Sequence, residues 1–299
     1  MKIFLENVNI QDSGGPNSFA QKLVPKLVNE GCAFTLPDDS DVSLCFIESR
    51  DHGSKKPRVQ RLDGIYFNTD QDYNAQNANI KRTYQGSQGV IFQSEFSKKL
   101  VTKHFGNFEN STVIYNGADL ETINQCAPMS KGKYDNIWSC AASWRPHKRL
   151  KDNINYFLEH KGDNDLLVVA GDVQEGDKVK DRSIAYFGKL NQNQLYSLYK
   201  STSFFLHLGW CDNCPNVVVD ARACGSHIIC SSVGGGVEIA GQNSTIIEED
   251  WDFEPHRLYD PPKMDFSKKV KNKTNSYYDM NIVASLYKQF MEKTIASCS

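Results

Sequence analysis

One stretch of the chain concentrates residue types that can hold a phosphorylated ligand: Leu208-Gly209-Trp210-Cys211-Asp212-Asn213-Cys214-Pro215-Asn216-Val217-Val218-Val219-Asp220-Ala221-Arg222-Ala223-Cys224-Gly225. It runs from an apolar strand end through a polar loop into a helix. Pro215 suits the first helical turn, where a missing N–H costs nothing. The N–H groups of that turn, around Asn216 and Val217, have no intrahelical acceptors and make a ready anion site for a diphosphate. Asp212 precedes the helix and Asp220 lies within it. One carboxylate therefore belongs near the phosphate end and the other about a turn further along.

Two other segments supply complementary groups. Ser143-Trp144-Arg145-Pro146-His147-Lys148 offers two cations after an apolar run, and Gly234-Gly235-Gly236-Val237-Glu238-Ile239 offers a flexible turn. Each piece alone has an ordinary reading: Asp212 as a turn residue, Asp220 as a helix-surface carboxylate, Arg145 and Lys148 as surface cations, the glycines as turns where positive φ is needed. Their order in one chain favours the chemical reading. Cys211-x-x-Cys214 invites a redox or zinc reading, but no second pair with ligand spacing accompanies it.

The elements that must position these residues alternate. In the first half, β-branched and aromatic runs at 2–5, 42–47, 65–67, 90–92 and 113–115 read as buried strands. Phe19, Leu23 and Leu27 give a helix over 18–30 one apolar face, with a kink or restart expected at Pro25. In the second half, strands at 137–142, 166–170, 184–187, 204–208 and 228–230 alternate with helices around Leu150–Leu158, around Leu195–Tyr199 and from Asn216. Such alternation implies parallel sheets with right-handed crossovers. The fold class is therefore α/β, with two Rossmann-like domains facing across a cleft. The polar stretch 124–135 marks the boundary, giving domains 1–123 and 124–278 and a terminal helix, 279–299, packing back toward the first domain through a stripe of Ile282, Leu286 and Phe290.

Composition narrows the class. With 299 residues, 39% hydrophobic and 23% charged, the chain has the balance of a globular protein of two ordinary domains. A formal net charge of −2 argues against a general nucleic-acid binder. Lysine runs at Lys98, Lys99 and Lys103 and at Lys268, Lys269, Lys271 and Lys273 leave peripheral contact with anionic lipid open, although a solvated face is the favoured reading of them. The N-terminus turns polar at Glu6, too early for a signal peptide, no segment is long enough to cross a bilayer, and nine scattered cysteines do not form a secreted disulfide framework. A cytoplasmic protein is expected.

The chemical stretch resembles the acidic, seven-residue, acidic motif of retaining glycosyltransferases of family 4, whose fold is the two-domain GT-B type. Other pieces match that family in order: Gly14-Gly15 before the first helix, Val90-Ile91-Phe92-Gln93-Ser94, Val113-Ile114-Tyr115-Asn116-Gly117-Ala118-Asp119, the basic loop with Arg145 and Lys148, Phe187-Gly188-Lys189-Leu190, and Gly234 to Ile239. The likeness spans most of the chain and is strongest over 139–239. It departs from the family in having Asp at both acidic positions, where Glu is usual, and Arg149 where glycine is common; the N-terminal domain is also compact.

The resemblance implies transfer of a sugar from a nucleoside-diphosphate donor, with retention of configuration and without a metal or other cofactor. Asp220 would bind the ribose diol, and Lys189 and Leu190 the base. Asn216 and Val217 would bind the diphosphate. Asp212, Gly235 and Gly236 would read the sugar, with Glu238 supporting that loop, and Gly14 and Gly15 would add donor contacts. Arg145 and Lys148 would neutralise the leaving diphosphate. On the acceptor side, Asp63 in Arg61-Leu62-Asp63-Gly64 is the candidate contact, the acceptor being a carbohydrate, a lipid-linked group or a protein. The alternatives are a nucleotide-sugar epimerase of the same fold, a non-catalytic sugar-nucleotide binder or scaffold, and a metal-dependent transferase using one of four Asp-x-Asp pairs.

Overall fold

The computed structural model describes residues 1–12 and 14–298. The chain forms two compact units, one of Met1–Gly117, Phe253–His256 and Tyr277–Ser299, the other of Ala118–Asp252 and Arg257–Ser276. The passage from one to the other thus precedes the polar stretch at 124–135.

In the first unit, β1 (Lys2–Glu6), α1 (Gly15–Asn29), β2 (Ala33–Phe34), β3 (Val42–Phe46), β4 (Arg58–Leu62), α2 (Tyr73–Gly86), β5 (Gly89–Phe92), α3 (Glu95–Phe105) and β6 (Ser111–Val113) follow in chain order. The strands form one parallel sheet, β2-β1-β3-β4-β5-β6. Helix α1 runs unbroken through Pro25. Phe19 and Leu23 before the proline and Leu27 after it are fully buried, so core packing on both sides holds the helix despite one lost hydrogen bond.

The strand expected at 65–67 is not part of the sheet. Its place is taken by β4, Arg-Val-Gln-Arg-Leu, all five residues of which are buried. A sequence with three polar residues of five forms a central strand because most of its polar groups find partners: Arg58 in Glu6 (3.4 Å), the Gln60 side-chain N–H in the Ile47 carbonyl, Arg61 in Asp63, Asn116 and Tyr287, while Gln60 Oε1 is left without one among the described residues. The main chain at 66–67 instead bonds to the Asn77 amide and to His256.

The second unit contains α4 (Leu120–Gln125), β7 (Ile137–Ala141), α5 (Leu150–His160), β8 (Leu166–Ala170), β9 (Ile184–Gly188), α6 (Gln192–Ser201), β10 (Thr202–His207), α7 (Asn216–Ala223), β11 (His227–Ser231), α8 (Gly236–Ile239), β12 (Ser244–Ile247) and β13 (Lys269–Lys271). The sheet order is β13-β12-β11-β10-β7-β8-β9, parallel except for β13. Read from β9, the six parallel strands run third, second, first, fourth, fifth, sixth. That is the doubly wound dinucleotide-binding order, whose switch point lies between β7 and β10. Lys269 and Lys271 stand exposed on the edge strand β13, where lysines guard against unwanted pairing.

The terminal helix, α9 (Met280–Cys298), belongs to the first unit. Its buried stripe is Met280, Val283, Ala284, Tyr287, Phe290 and Met291, packed with Phe19, Leu23 and Leu27. Ile282, expected on that stripe, is 46% exposed, because the 3.6-residue period carries the buried face through 280, 283, 287 and 291 instead. The helix lies so close that a Cβ at Gly89 or Gly117 would stand 2.9 Å from Phe290 or Met280. Among the described residues no helix is long and apolar enough to cross a membrane.

Candidate functional site

The switch point of the second sheet is built from the loops that leave β7 and β10. They are tied together by the Trp210 N–H donating to the His147 carbonyl at 2.7 Å. Lys148 Nζ donates to Asp212 Oδ2, and His207 Nε2 lies 2.9 Å from the same oxygen. Burial pushes the Asp212 carboxyl up, but Lys148 and His207 outweigh it and hold the group well below the ordinary carboxylate range. Arg145 caps the short turn Pro146–Lys148 and is exposed, with no ion-pair partner among the described residues.

Arg149 adopts a left-handed conformation, φ 53° and ψ 52°. This explains why glycine suits the position, since a side chain there costs about 1–2 kcal/mol. The cost is offset by a bidentate pair with Glu249 at 2.8 Å, a hydrogen bond donated to the Pro262 carbonyl at 2.7 Å, and the guanidinium lying 5.0 Å from the Trp210 ring centre. The left-handed Arg149 is thus anchored, and with it the loop carrying Lys148.

The loop before α7 is zipped to the glycine turn. Gly234 has φ +139°, and a Cβ there would stand 2.7 Å from the Asp212 carbonyl oxygen. The Gly235 N–H donates to that carbonyl at 2.8 Å. The Gly235 N–H thus holds the main chain at Asp212 in this structure. Gly236 opens α8, and Glu238 stands half-buried in its first turn.

Helix α7 starts at Asn216, after Pro215 as its cap residue, with no side-chain cap and no acidic residue in the first turn. The N–H dipoles around Asn216 and Val217 therefore face no competing carboxylate of their own turn. Asp220 is buried at 4% exposure and receives the Gln192 amide at 3.3 Å. Gln192 opens α6 just after Gly188-Lys189-Leu190, where Gly188 takes φ +64°. Asp220 is thereby placed by the expected base-contacting turn, while Asp212 is held by Lys148 and His207. Lys189 is exposed and Leu190 half-buried.

The remaining candidates lie in the first unit. Gly14 caps α1 with φ +117°, and Gly15 opens the helix; both are exposed. Asp63, at the carboxyl end of β4, pairs with Arg61. Burial pushes its carboxyl above the ordinary value, against the opposing pull of Arg61 and of a hydrogen bond with Gln93. Arg61 is fully buried, donating to Tyr287 Oη at 3.1 Å and Asn116 Oδ1 at 2.9 Å, with its guanidinium 4.0 Å from the Phe19 ring centre.

Sequence reasoning missed His207, Gln192 and Glu249. His207 carried a signal, since it is the last residue of a strand whose following loop holds Asp212; the other two sit too far along the chain for spacing to find. His147 is buried and stacks on Tyr259 at 5.6 Å; burial and the Lys148 charge lower its pKa to about 3. Cys211 and Cys214 are buried free thiols, and among the described residues no three His, Cys, Asp or Glu side chains are grouped to hold a metal ion.

No family model and no curated protein matches the sequence. Solved structures do match. HepE of Anabaena, in a complex with UDP-glucose, superposes with a TM-score of 0.63 at 13% identity, over 100% of this chain and 93% of that one. Sucrose-phosphate synthase of Thermosynechococcus elongatus gives 0.68 at 10% identity, over 99% of each chain. The α,α-trehalose 6-phosphate synthase of Burkholderia multivorans gives 0.61 at 12%, over 96% of this chain and 79% of that one. With two doubly wound α/β units and these neighbours, the chain has the GT-B fold of two Rossmann-like domains.

Proposed function

We propose that the chain is a retaining glycosyltransferase of family 4 that moves a sugar from a nucleoside-diphosphate donor to an acceptor hydroxyl without a metal ion. The observation that carries this reading is the Lys148–Asp212–His207 cluster at the switch point of the second sheet, next to the uncapped start of α7. A fold alone hosts many functions; this cluster joins a cation, a carboxylate and helix N–H groups where a diphosphate and its sugar would lie.

In this reading Asp220 binds the ribose diol and the turn at Lys189 and Leu190 holds the base. The α7 N–H groups of Asn216 and Val217 take the diphosphate. Lys148 has three N–H donors, one of them on Asp212, so the ammonium can address a phosphate oxygen without leaving its partner. Arg145 adds a second cation. As the bond from the anomeric carbon to the diphosphate oxygen breaks, negative charge grows on that oxygen, and fixed cations and N–H dipoles stabilise this state more than the ground state. The acceptor oxygen forms the new bond on the same face, and its proton passes to the departing diphosphate.

Asp212 reads the sugar hydroxyls beside the Gly236 turn, supported by Glu238. Gly14, Gly15 and Asp63 are assigned on the resemblance, the glycines to the donor and Asp63 to a carbohydrate, lipid-linked or protein acceptor. The HepE complex makes UDP and UDP-glucose the first ligands to test. Ligands that bind only the folded state raise its melting temperature. A thermal-shift screen of nucleoside diphosphates and nucleotide sugars, followed by product analysis, tests the proposal. Stabilisation by a nucleotide sugar with a glycosylated product supports it; binding with only an epimerised sugar, or no nucleotide binding, overturns it.

A further inference from the structure

The first unit holds a cavity of about 150 Å³ between the face of α2 and the end of α3, with Pro255 at its rim. At roughly 30 Å³ per water, that is the room of about five waters, close to one sugar ring. Its walls differ from those of a packing gap. Tyr66 is a large aromatic left 48% exposed, yet its main chain is fixed by the buried Asn77, whose amide accepts from the Tyr66 N–H (2.8 Å) and donates to its carbonyl (2.6 Å). A buried side chain thus holds the main chain that carries this exposed ring.

One turn along the same helix face stands Lys81, its Nζ 5.7 Å from the Phe105 ring centre and without an ion-pair partner among the described residues. His104 completes the wall. Its Nε2 lies 2.9 Å from the Phe253 carbonyl oxygen, which can only accept, so that nitrogen carries the proton and the ring is fixed. Among the described residues no carboxylate lines the cavity. An exposed aromatic ring on a fixed main chain, an ammonium without an ion-pair partner among the described residues and a fixed imidazole match a ligand with one apolar ring face and a negative charge.

We propose that this cavity binds an anionic monosaccharide, a sugar ring carrying a phosphate or carboxylate. Lys81 meets the charge and Tyr66 the ring. The site lies outside the donor-binding residues and does not depend on their assignment.

Calorimetric titration of the full chain with glucose 6-phosphate, glucuronate, glucose and inorganic phosphate tests this. The two sugar anions bind, and glucose and phosphate bind at least about tenfold more weakly, the loss expected for one charge-assisted hydrogen bond or one ring contact. If only one sugar anion binds, it identifies the anionic group. Lys81→Met and Tyr66→Ala, both at exposed positions, each weaken the sugar anion about tenfold or more, while Lys148→Met leaves it unchanged. Absence of binding by both sugar anions, equal binding of bare phosphate, or loss in Lys148→Met instead of Lys81→Met overturns the proposal.

Discussion

His207 Nε2 lies 2.9 Å from the Asp212 oxygen that also receives Lys148 Nζ. One carboxylate oxygen thus links the end of β10 to the loop after β7. Because the folded pKa of Asp212 is depressed below the ordinary 3.8, its contribution to stability is present above that value and is lost as pH falls through the folded one. Asp212→Asn should cost about 1–3 kcal/mol at pH 7. Urea midpoints measured from pH 7 to pH 3 should show the gap between wild type and variant narrowing in acid; a constant gap would count against the linkage.

Gly234→Ala tests the zipper between the two loops. A Cβ 2.7 Å from the Asp212 carbonyl, at φ +139°, forces the turn to move. The expected loss is on the order of 1–3 kcal/mol, together with weaker binding of an intact nucleotide sugar. Thermal melting and calorimetry of this variant check both; an unchanged melting point would show that the turn relaxes freely.

Much of this architecture was legible because buried strands and amphipathic helices leave strong periodic marks: the runs at 137–142, 166–170 and 228–230 are all strands. Strand β4 was not, since Arg58, Gln60 and Arg61 read as surface residues until Glu6, Asp63 and Tyr287 are placed beside them. Those partners come from 2 to 226 residues away. In the site, local order along the chain found Lys148, Asp212 and Asp220. It overlooked His207, only five residues before Asp212 at the end of β10, and it could not find Gln192 on Asp220, because that contact spans 28 residues and depends on how α6 packs beside α7.

Arg61→Met should be among the most damaging single changes in the first unit. It leaves the half-buried Asp63 carboxylate without its cation, a loss of about 3 kcal/mol, the lower end for breaking a buried pair from one side. Arg61→Met with Asp63→Asn should recover part of it, because no unpaired charge remains. Denaturant unfolding of the two variants makes the comparison, and a double variant less stable than Arg61→Met would contradict this pairing.

Transfer should survive excess chelator, since Lys148, Arg145 and the α7 N–H groups neutralise the diphosphate in the proposed reaction. The check is turnover with and without chelator. Activity that disappears and returns with magnesium or manganese would favour the metal-dependent alternative.

The central claim is that Asp212 and Asp220 bind different parts of one donor, and their opposite partners, Lys148 with His207 and Gln192, are the reason to expect it. Calorimetric titration of Asp212→Asn and Asp220→Asn with the bare nucleoside diphosphate and with the intact nucleotide sugar tests it most directly. A lost charge-assisted hydrogen bond is worth about 1.5–3 kcal/mol, roughly ten- to more than hundredfold in affinity. Asp220→Asn should weaken both ligands by that factor through the ribose. Asp212→Asn should leave the bare diphosphate nearly unchanged while weakening the nucleotide sugar. If Asp212→Asn weakens the bare diphosphate as much as Asp220→Asn does, the two carboxylates serve one ribose or phosphate site and the sugar-side role of Asp212 is wrong.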